Sequence, residues 1–259
     1  MMKPIVVTAA LLLTGTIGFN ASAAGERDPF GSAVWADLVE TELAGAPVVY
    51  DNSLFLAIPE RVEDAHNVSV LVKLTKALGP VTEIALFAEN NPIQTALRIY
   101  PHRPLQSVGF NIRLEQSTSV RAAVKDAAGV WHVASRRVFV AVPGGCSEVS
   151  PGVVTDIGEI ALKQFDRAGG ASRVKVKINH PMHTGLASDE DGETIPAYYV
   201  EKVAIADAQG PIADLVTWAA LSSDPVFILD IPERQQSIRV SATDSNGLDF
   251  EASESKPTM

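Results

Sequence analysis

The chain has 259 residues, of which 46% are hydrophobic and 20% are charged, a composition typical of folded globular proteins. Its 31 acidic and 21 basic residues give a formal net charge of −10, which argues against nucleic acid or an anionic membrane as a partner, because both favour an excess of lysine and arginine. A single cysteine, Cys146, excludes an intramolecular disulfide and a zinc site built from several cysteines.

The N-terminus has the pattern of an export signal. Lys3 supplies a positive charge, residues 5–17 form an apolar stretch too short for an ordinary membrane span, and Ala21-Ser22-Ala23 is a small-x-small cleavage site. The alternative is an uncleaved membrane anchor. We expect a signal peptide over residues 1–23 and a mature chain that begins at Ala24 and is exported from the cytoplasm.

The mature chain starts with a predicted helix and continues with predicted strands. Ser32 follows the turn at residues 28–31 and is a suitable N-cap for a helix in which Trp35 and Leu38 fall at helical spacing. Alternating apolar residues then predict five strands, at residues 67–74, 83–89, 109–115, 120–124 and 130–142. Runs of this kind, separated by turns, are typical of an antiparallel β-sandwich.

Residues 143–152 interrupt this pattern with two prolines, three glycines and two serines. Such a segment has neither helix nor strand periodicity, and it predicts an exposed, flexible linker. Cys146 directly follows Gly144 and Gly145, which free the backbone and leave the sulfur sterically open. We interpret this segment as a flexible arm that presents a thiol to other proteins; the alternative is a linker in which the cysteine is incidental.

Strand patterns resume after the linker, at residues 173–178, 198–206, 225–231 and 237–242. Asp244-Ser245-Asn246-Gly247 predicts a hairpin turn before a last strand, and residues 251–259 are predicted to be frayed. We therefore expect an all-β protein with a short N-terminal helix and two small β-sandwich domains. The predicted domains cover residues 24–142 and 153–259, and the linker 143–152 joins them.

The residues beside Cys146 in sequence do not activate its thiol. An exposed cysteine has a pKa of about 8.5, so about 3% is thiolate at pH 7. Glu148 is the nearest charged residue in sequence, and a negative neighbour disfavours the thiolate. This pattern favours an attachment point over a catalytic nucleophile, so we predict no catalytic residue, and we predict no cofactor.

Two other patterns suggest metal sites only weakly. His180 and His183, with Met182 between them, are compatible with a transition metal, but their Pro/Gly turn favours a structural role. The acidic residues at 189–193 are compatible with calcium, although a solvated loop is the simpler interpretation. We therefore predict no metal site.

The sequence resembles the sulfur-oxidation carriers SoxY and SoxZ joined in one chain. Among such carriers it is most similar to the fused SoxYZ-like group associated with quinoprotein dehydrogenases. The resemblance is carried in the first half by residues 67–70, 86–92 and 144–146. In the second half it is carried by residues 179–185, 195–202 and 243–247. It covers nearly the whole mature chain.

The resemblance implies two immunoglobulin-like sandwiches packed together, a periplasmic location, and Cys146 as the residue to which sulfur intermediates are covalently attached. In that family a c-type cytochrome conjugates the cysteine to thiosulfate, and further enzymes process the adduct. The implied partners are a c-type cytochrome or other redox enzyme that loads the thiol, sulfur-processing enzymes and, by association, a quinoprotein dehydrogenase.

One feature departs from the family pattern. The SoxY arm ends as Gly-Gly-Cys-Gly-Gly at a free C-terminus, whereas Ser147 and Glu148 follow Cys146 here and the chain continues. Two other functions stay open on sequence grounds. One is a noncatalytic accessory or scaffold protein for a quinoprotein (PQQ) dehydrogenase, and the other is an enzyme that uses Cys146 directly as its nucleophile.

Overall fold

The computed structural model describes residues 27–150 and 154–255, and the predicted signal peptide lies outside them. Within the described residues one α-helix, α1 (Ala33–Glu42), precedes the strands. The strands are β1 Val48–Val49, β2 Leu54–Ala57, β3 Arg61–Val62, β4 Val68–Leu74, β5 Val81–Ala88, β6 Thr95–Pro101, β7 Ser107–Ile112, β8 Thr118–Asp126, β9 Trp131–Val140, β10 Ile160–Asp166, β11 Ser172–Ile178, β12 Val200–Asp207, β13 Gly210–Thr217, β14 Val226–Ile231, β15 Ser237–Asp244 and β16 Asp249–Ser255. No helix in this part of the chain is long and apolar enough to cross a membrane.

Helix α1 begins where the sequence predicts. The Ser32 hydroxyl accepts a hydrogen bond from the Trp35 backbone N–H at 3.2 Å, which satisfies one of the free donors of the first turn. Trp35 and Leu38 are buried against Phe87 and Trp131, which project from the larger sheet. The helix therefore covers one face of the strands β5, β8 and β9, while the other face of these strands contributes to the main core.

The strands of the described residues form two sheets, and each sheet contains strands from both halves of the chain. The larger has the order β1-β9-β8-β5-β6-β13-β12-β15-β16, with β3 also paired to β9. The smaller has the order β10-β11-β14-β7-β4-β2. Each half is thus a two-layered sandwich, so the all-β class with a short N-terminal helix is confirmed.

Two antiparallel pairs join the halves edge to edge. In the larger sheet β6 pairs with β13, with Leu97 opposite Thr217. In the smaller sheet β7 pairs with β14, with Phe110 opposite Phe227. Both phenylalanines belong to a single hydrophobic core that runs through both halves. The proposed domain boundaries remain predictions, but the halves share main-chain hydrogen bonds as well as side-chain packing.

The prediction of a frayed C-terminus is wrong as far as residue 255. Strand β16 pairs with β15 along its whole length, from Asp249 opposite Thr243 to Ser255 opposite Ser237. In β16, exposed residues alternate with half-buried ones rather than with buried apolar ones. The sequence therefore lacks the apolar alternation that predicts a strand. The turn before it is confirmed, because the Gly247 N–H donates to the Asp244 carbonyl at 3.0 Å.

Candidate functional site

Residues 144–146 are buried, so the prediction that the arm exposes its cysteine is wrong, whereas the flexibility of the arm stays a prediction. Gly144, Gly145 and Cys146 are all buried, and the side chain of Cys146 is 0% exposed. Pro143 before them and residues 147–149 after them are exposed, and residues 151–153 lie outside the described part of the chain. The proline and glycine content correctly indicates the absence of a strand. It does not determine whether neighbouring loops cover the segment.

Gly145 is required by a close approach to other backbone atoms rather than by flexibility. A Cβ atom at this position would lie 2.3 Å from the carbonyl oxygen of Ala65 and 2.5 Å from that of Leu114. These two residues are themselves linked, since the Leu114 N–H donates to the Ala65 carbonyl at 2.9 Å. A glycine therefore lets the segment lie directly against a pair of hydrogen-bonded loops.

Glu115 holds the turn that carries the cysteine. One carboxylate oxygen accepts hydrogen bonds from the backbone N–H groups of Cys146 and Ser147, both at 3.0 Å. The other oxygen accepts from the Ser147 hydroxyl at 2.7 Å, and the Glu115 carbonyl accepts from the Gly144 N–H at 2.8 Å. Hydrogen bonds to a charged acceptor are stronger than neutral ones, so this single side chain fixes three donors of the turn.

The second half of the chain closes the other side of the turn. The Thr184 hydroxyl donates to the Cys146 carbonyl at 2.7 Å, and it accepts in turn from the Leu186 N–H at 3.1 Å. Thr184 belongs to the sequence segment that carries His180 and His183. Cys146 thus lies at the contact between the two halves.

Burial raises the pKa of the Cys146 thiol to about 12, and the Glu115 carboxylate adds to this increase, while Arg113 opposes it. The sequence had pointed to Glu148 as the relevant charge, but the residue that acts on the thiol is Glu115. At neutral pH the thiol is therefore protonated and unreactive while the turn is closed.

Arg113 connects the same region to the second half, and the sequence analysis did not identify it. Its side chain is buried, and its Nε–H donates to the Leu221 carbonyl at 3.0 Å. Its Nη2 group donates to the carbonyls of Pro181 and Met182 at 3.0 and 2.9 Å. Burial lowers the pKa of this guanidinium. An arginine inside an alternating apolar run was the only sequence signal for this role.

Comparison with protein families identifies both halves. The family model "Sulfur oxidation protein SoxY" matches residues 40–146, and "Sulphur oxidation protein SoxZ" matches residues 160–255. The chain is a SoxY domain fused to a SoxZ domain. The resemblance to SoxY and SoxZ joined in one chain is thereby confirmed, and Cys146 is the last residue of the SoxY match. We refer below to residues 40–146 as the SoxY part and to residues 160–255 as the SoxZ part.

Solved structures add more distant similarities. The sulfur carrier protein SoxY from Chlorobium limicola f thiosulfatophilum is 19% identical, with a TM-score of 0.37, over 42% of this chain and 96% of that chain. A superoxide reductase (neelaredoxin) from Ignicoccus hospitalis is 19% identical, with a TM-score of 0.30, over 34% of this chain and 80% of that chain. No curated protein sequence matches the chain significantly. The assignment to SoxY and SoxZ is therefore based on the family models.

His180 and His183 of the SoxZ part are surrounded by protein groups that give them a structural role. His180 is fully buried, and its Nδ1 accepts from the Met182 N–H at 3.2 Å. Burial lowers the pKa of His180 to about 4 and also lowers that of His183. Among residues 27–150 and 154–255, no group of three or more histidine, cysteine or acidic side chains is arranged to hold a metal ion. Residues 189–193 form an exposed turn in which Asp189 accepts from the N–H groups of Asp191 and Glu193.

Proposed function

We propose that this fused protein is a sulfur carrier that holds sulfur intermediates covalently on Cys146 while partner enzymes act on them. Membership of the SoxY and SoxZ families supports a role in sulfur oxidation. The observation that carries the proposal is the location of Cys146, which is the only cysteine of the chain and lies at the end of the SoxY match, at the contact with the SoxZ part.

The closed turn favours a carrier over an enzyme that uses Cys146 as its own nucleophile. A thiol with a pKa of about 12 supplies almost no thiolate at neutral pH. Loading therefore requires the turn to open, which breaks the hydrogen bonds to Glu115 and Thr184 and returns the thiol toward the pKa of about 8.5 of an exposed cysteine. Such opening is suited to a partner that binds the carrier first and reacts with the thiol second.

The loading step is an oxidation. Coupling the Cys146 thiol to a sulfur anion forms an S–S bond and releases one proton and two electrons, and a redox partner must accept the electrons. A c-type cytochrome or other redox enzyme would supply this acceptor, and separate sulfur-processing enzymes would cleave or oxidise the adduct. The predicted signal peptide at residues 1–23 supports a periplasmic location for this chemistry.

The decisive experiment is intact-protein mass spectrometry of the chain isolated without reductant from cells oxidising reduced sulfur compounds. We expect a mass increment that disappears on reduction and that maps to the peptide containing Cys146. Cys146→Ser should lack the increment and abolish sulfur oxidation, while its circular dichroism and thermal unfolding match the wild type. An unmodified thiol, together with normal sulfur oxidation in the variant, would instead support the accessory or scaffold function beside a quinoprotein dehydrogenase.

A further inference from the structure

The first half of the chain has a large open groove between strands β2 and β9, with a volume of about 1370 Å³. Three phenylalanines and three arginines are prominent in its lining: Phe30, Phe55, Phe139, Arg27, Arg136 and Arg137. Phe55 and Phe139 are 49% and 51% exposed, which is unusual for side chains that large. We call this feature the arginine groove.

The charge of the arginine groove is opposite to that of the rest of the chain. Arg61 and Lys73 flank the three lining arginines, and all five basic residues are exposed. Among the described residues, none of the five lies within 4.0 Å of a carboxylate. A cluster of cations without counterions, in a chain of net charge −10, is a local site for anions.

Two carboxylates also line the groove. Asp51 lies 2.9 Å from His132 and accepts a hydrogen bond from the Ser53 backbone N–H at 2.8 Å, so it is already partnered. Glu60 is exposed, and its backbone carbonyl accepts from the Phe139 N–H at 2.8 Å. In the lining itself three arginines stand against these two carboxylates, of which Asp51 is already partnered, so the groove is positive.

The aromatic rings orient the arginines. The guanidinium carbon of Arg137 lies 4.6 Å from the centre of the Phe30 ring, and that of Arg61 lies 4.8 Å from the centre of the Phe139 ring. A guanidinium that stacks on a ring keeps its N–H edge available for a carboxylate, which it can bind through two parallel hydrogen bonds. The exposed rings add an apolar surface beside these donors.

The arginine groove is lined by residues that lie close in sequence to the segments around Cys146 and Glu115. Ser117 lies in its lining, and the Ser117 hydroxyl accepts from the Val140 N–H at 3.0 Å. Ser117 follows by two residues the Glu115 that holds the Cys146 turn, and Phe139 precedes Cys146 by seven residues in the same run of chain. A molecule seated in the groove therefore contacts Ser117 and Phe139, which lie two residues from Glu115 and seven residues from Cys146 along the chain.

We propose that the arginine groove docks an acidic segment of a partner protein that acts on Cys146, a segment with several carboxylates next to an apolar or aromatic side chain. A short segment fits because the net negative charge of the chain repels extended polyanions beyond the groove. The identity of the partner depends on the proposed carrier function, whereas the capacity of the groove to bind an acidic segment does not.

Fluorescence anisotropy with a labelled peptide of alternating glutamate and tyrosine tests the proposal on the full chain, and a lysine–tyrosine peptide serves as the probe control. We expect saturable binding of the acidic peptide only, weakened about tenfold or more by Arg136→Glu with Arg137→Glu and by high salt. Phe139→Ala should weaken it about threefold or more, because the apolar contact is lost. The double variant Arg234→Glu with Arg239→Glu makes the same charge change on the SoxZ part and should bind like the wild type.

Three results would overturn the proposal. The first is the absence of binding to the wild type, and the second is equal weakening by both double variants. The third is a salt-sensitive oligomer in sedimentation velocity that only the Arg136 and Arg137 changes dissociate, which would identify a second copy of this chain as the occupant. Cys146→Ser should bind the peptide like the wild type, so a failure of sulfur loading and a failure of groove binding give separate signals.

Discussion

The arginine groove and the Cys146 turn lie on the same half of the molecule but have opposite physical properties. The groove is open, positively charged and lined by exposed rings, and its cations have no carboxylate partners among the described residues. The turn is closed, and its donors are held by the negative Glu115, with a thiol that is 0% exposed. A partner can reach the first without any rearrangement, but not the second.

In a carrier, the surface that recognises a partner and the group that reacts can thus lie at separate places. A permanently exposed thiol would react with any oxidant or other thiol that it met. A buried thiol beside an open docking surface becomes available only when a bound partner, or a local fluctuation, opens the turn. Substitutions or a change of pH that affect the turn but not the groove can therefore measure the closure of the turn separately from binding in the groove.

The largest effect is expected from Gly145→Ala. The added methyl group would overlap two backbone carbonyl oxygens at 2.3 and 2.5 Å, and neither can move aside like a flexible side chain. Displacing the turn should favour its open form by about 3 kcal/mol, which raises the rate of thiol modification by Ellman's reagent about a hundredfold. Gly109→Ala is the matched control, because a Cβ there meets its neighbours at ordinary distances of 3.5 Å or more. Equal reactivity of both variants would show that the close approach at Gly145 does not keep the turn closed.

Mild acid should loosen the SoxZ side of the turn. His180 stays neutral in the folded protein down to a pKa of about 4, but in the unfolded chain it takes up a proton near pH 6.5. Its contribution to stability is thus present above pH 6.5 and is lost as the pH falls toward 4, by about 2 kcal/mol at pH 5. The lowered pKa of His183 acts in the same direction. Urea unfolding at neutral pH and at pH 5 measures the loss, and His180→Asn should reduce it.

Removing the charge of Glu115 should have a smaller effect. Glu115→Gln keeps an acceptor oxygen for part of the turn but loses the charge that strengthens three hydrogen bonds and raises the pKa of Cys146. We expect thiol modification to accelerate about tenfold, or about 1.4 kcal/mol. Glu148→Gln, which removes the acidic residue closest in sequence, should leave the rate unchanged. If Glu148→Gln accelerated the modification more than Glu115→Gln, Glu148 would be the carboxylate that controls the reactivity of the thiol.

The smallest effect is expected from Thr184→Val, which removes the hydroxyl that donates to the Cys146 carbonyl at 2.7 Å. Loss of one buried hydrogen bond should cost about 1 kcal/mol and accelerate thiol modification about fivefold. Thr82→Val, on an exposed strand position, is the control. Binding of the acidic peptide to the groove should be unchanged in all of these turn variants. If peptide binding weakened as the thiol became more reactive, the groove and the turn would be structurally coupled.

The sequence predicts the parts of this molecule that depend on local patterns. Ser32 and the spacing of Trp35 and Leu38 predict the helix, and apolar alternation predicts the strands with one buried face. The motifs at residues 144–146 and 179–185 indicate the family, which the family models confirm. The contacts that bury Cys146 cannot be predicted in this way, because Ala65, Glu115 and Thr184 are distant from it in sequence and no local pattern relates them to the cysteine.

Strands β6 and β13 show the same limit at the level of the fold. Neither was predicted, since Arg98 interrupts the apolar character of β6 and Pro211 lies near the start of β13. They are nevertheless the pair that joins the halves in the larger sheet. Without them the sequence predicts two sandwiches, which the family resemblance implies are packed together, but it does not predict that their sheets are joined edge to edge. The arginine groove was missed for a related reason, because its residues come from the N-terminal turn, β2 and β9.

The pairing of β6 with β13 and of β7 with β14 also has a consequence during synthesis of the chain. Because the chain grows from its N-terminus, the SoxY part is complete while the edges of β6 and β7 still have unpaired backbone groups. Those edges can recruit strands from other nascent chains until β13 and β14 have been made, which is an aggregation hazard limited to that interval. In a chain terminated within the linker, the edges of β6 and β7 would stay unpaired permanently. We therefore expect prematurely terminated products to be degraded or to precipitate, while the full-length protein remains dispersed.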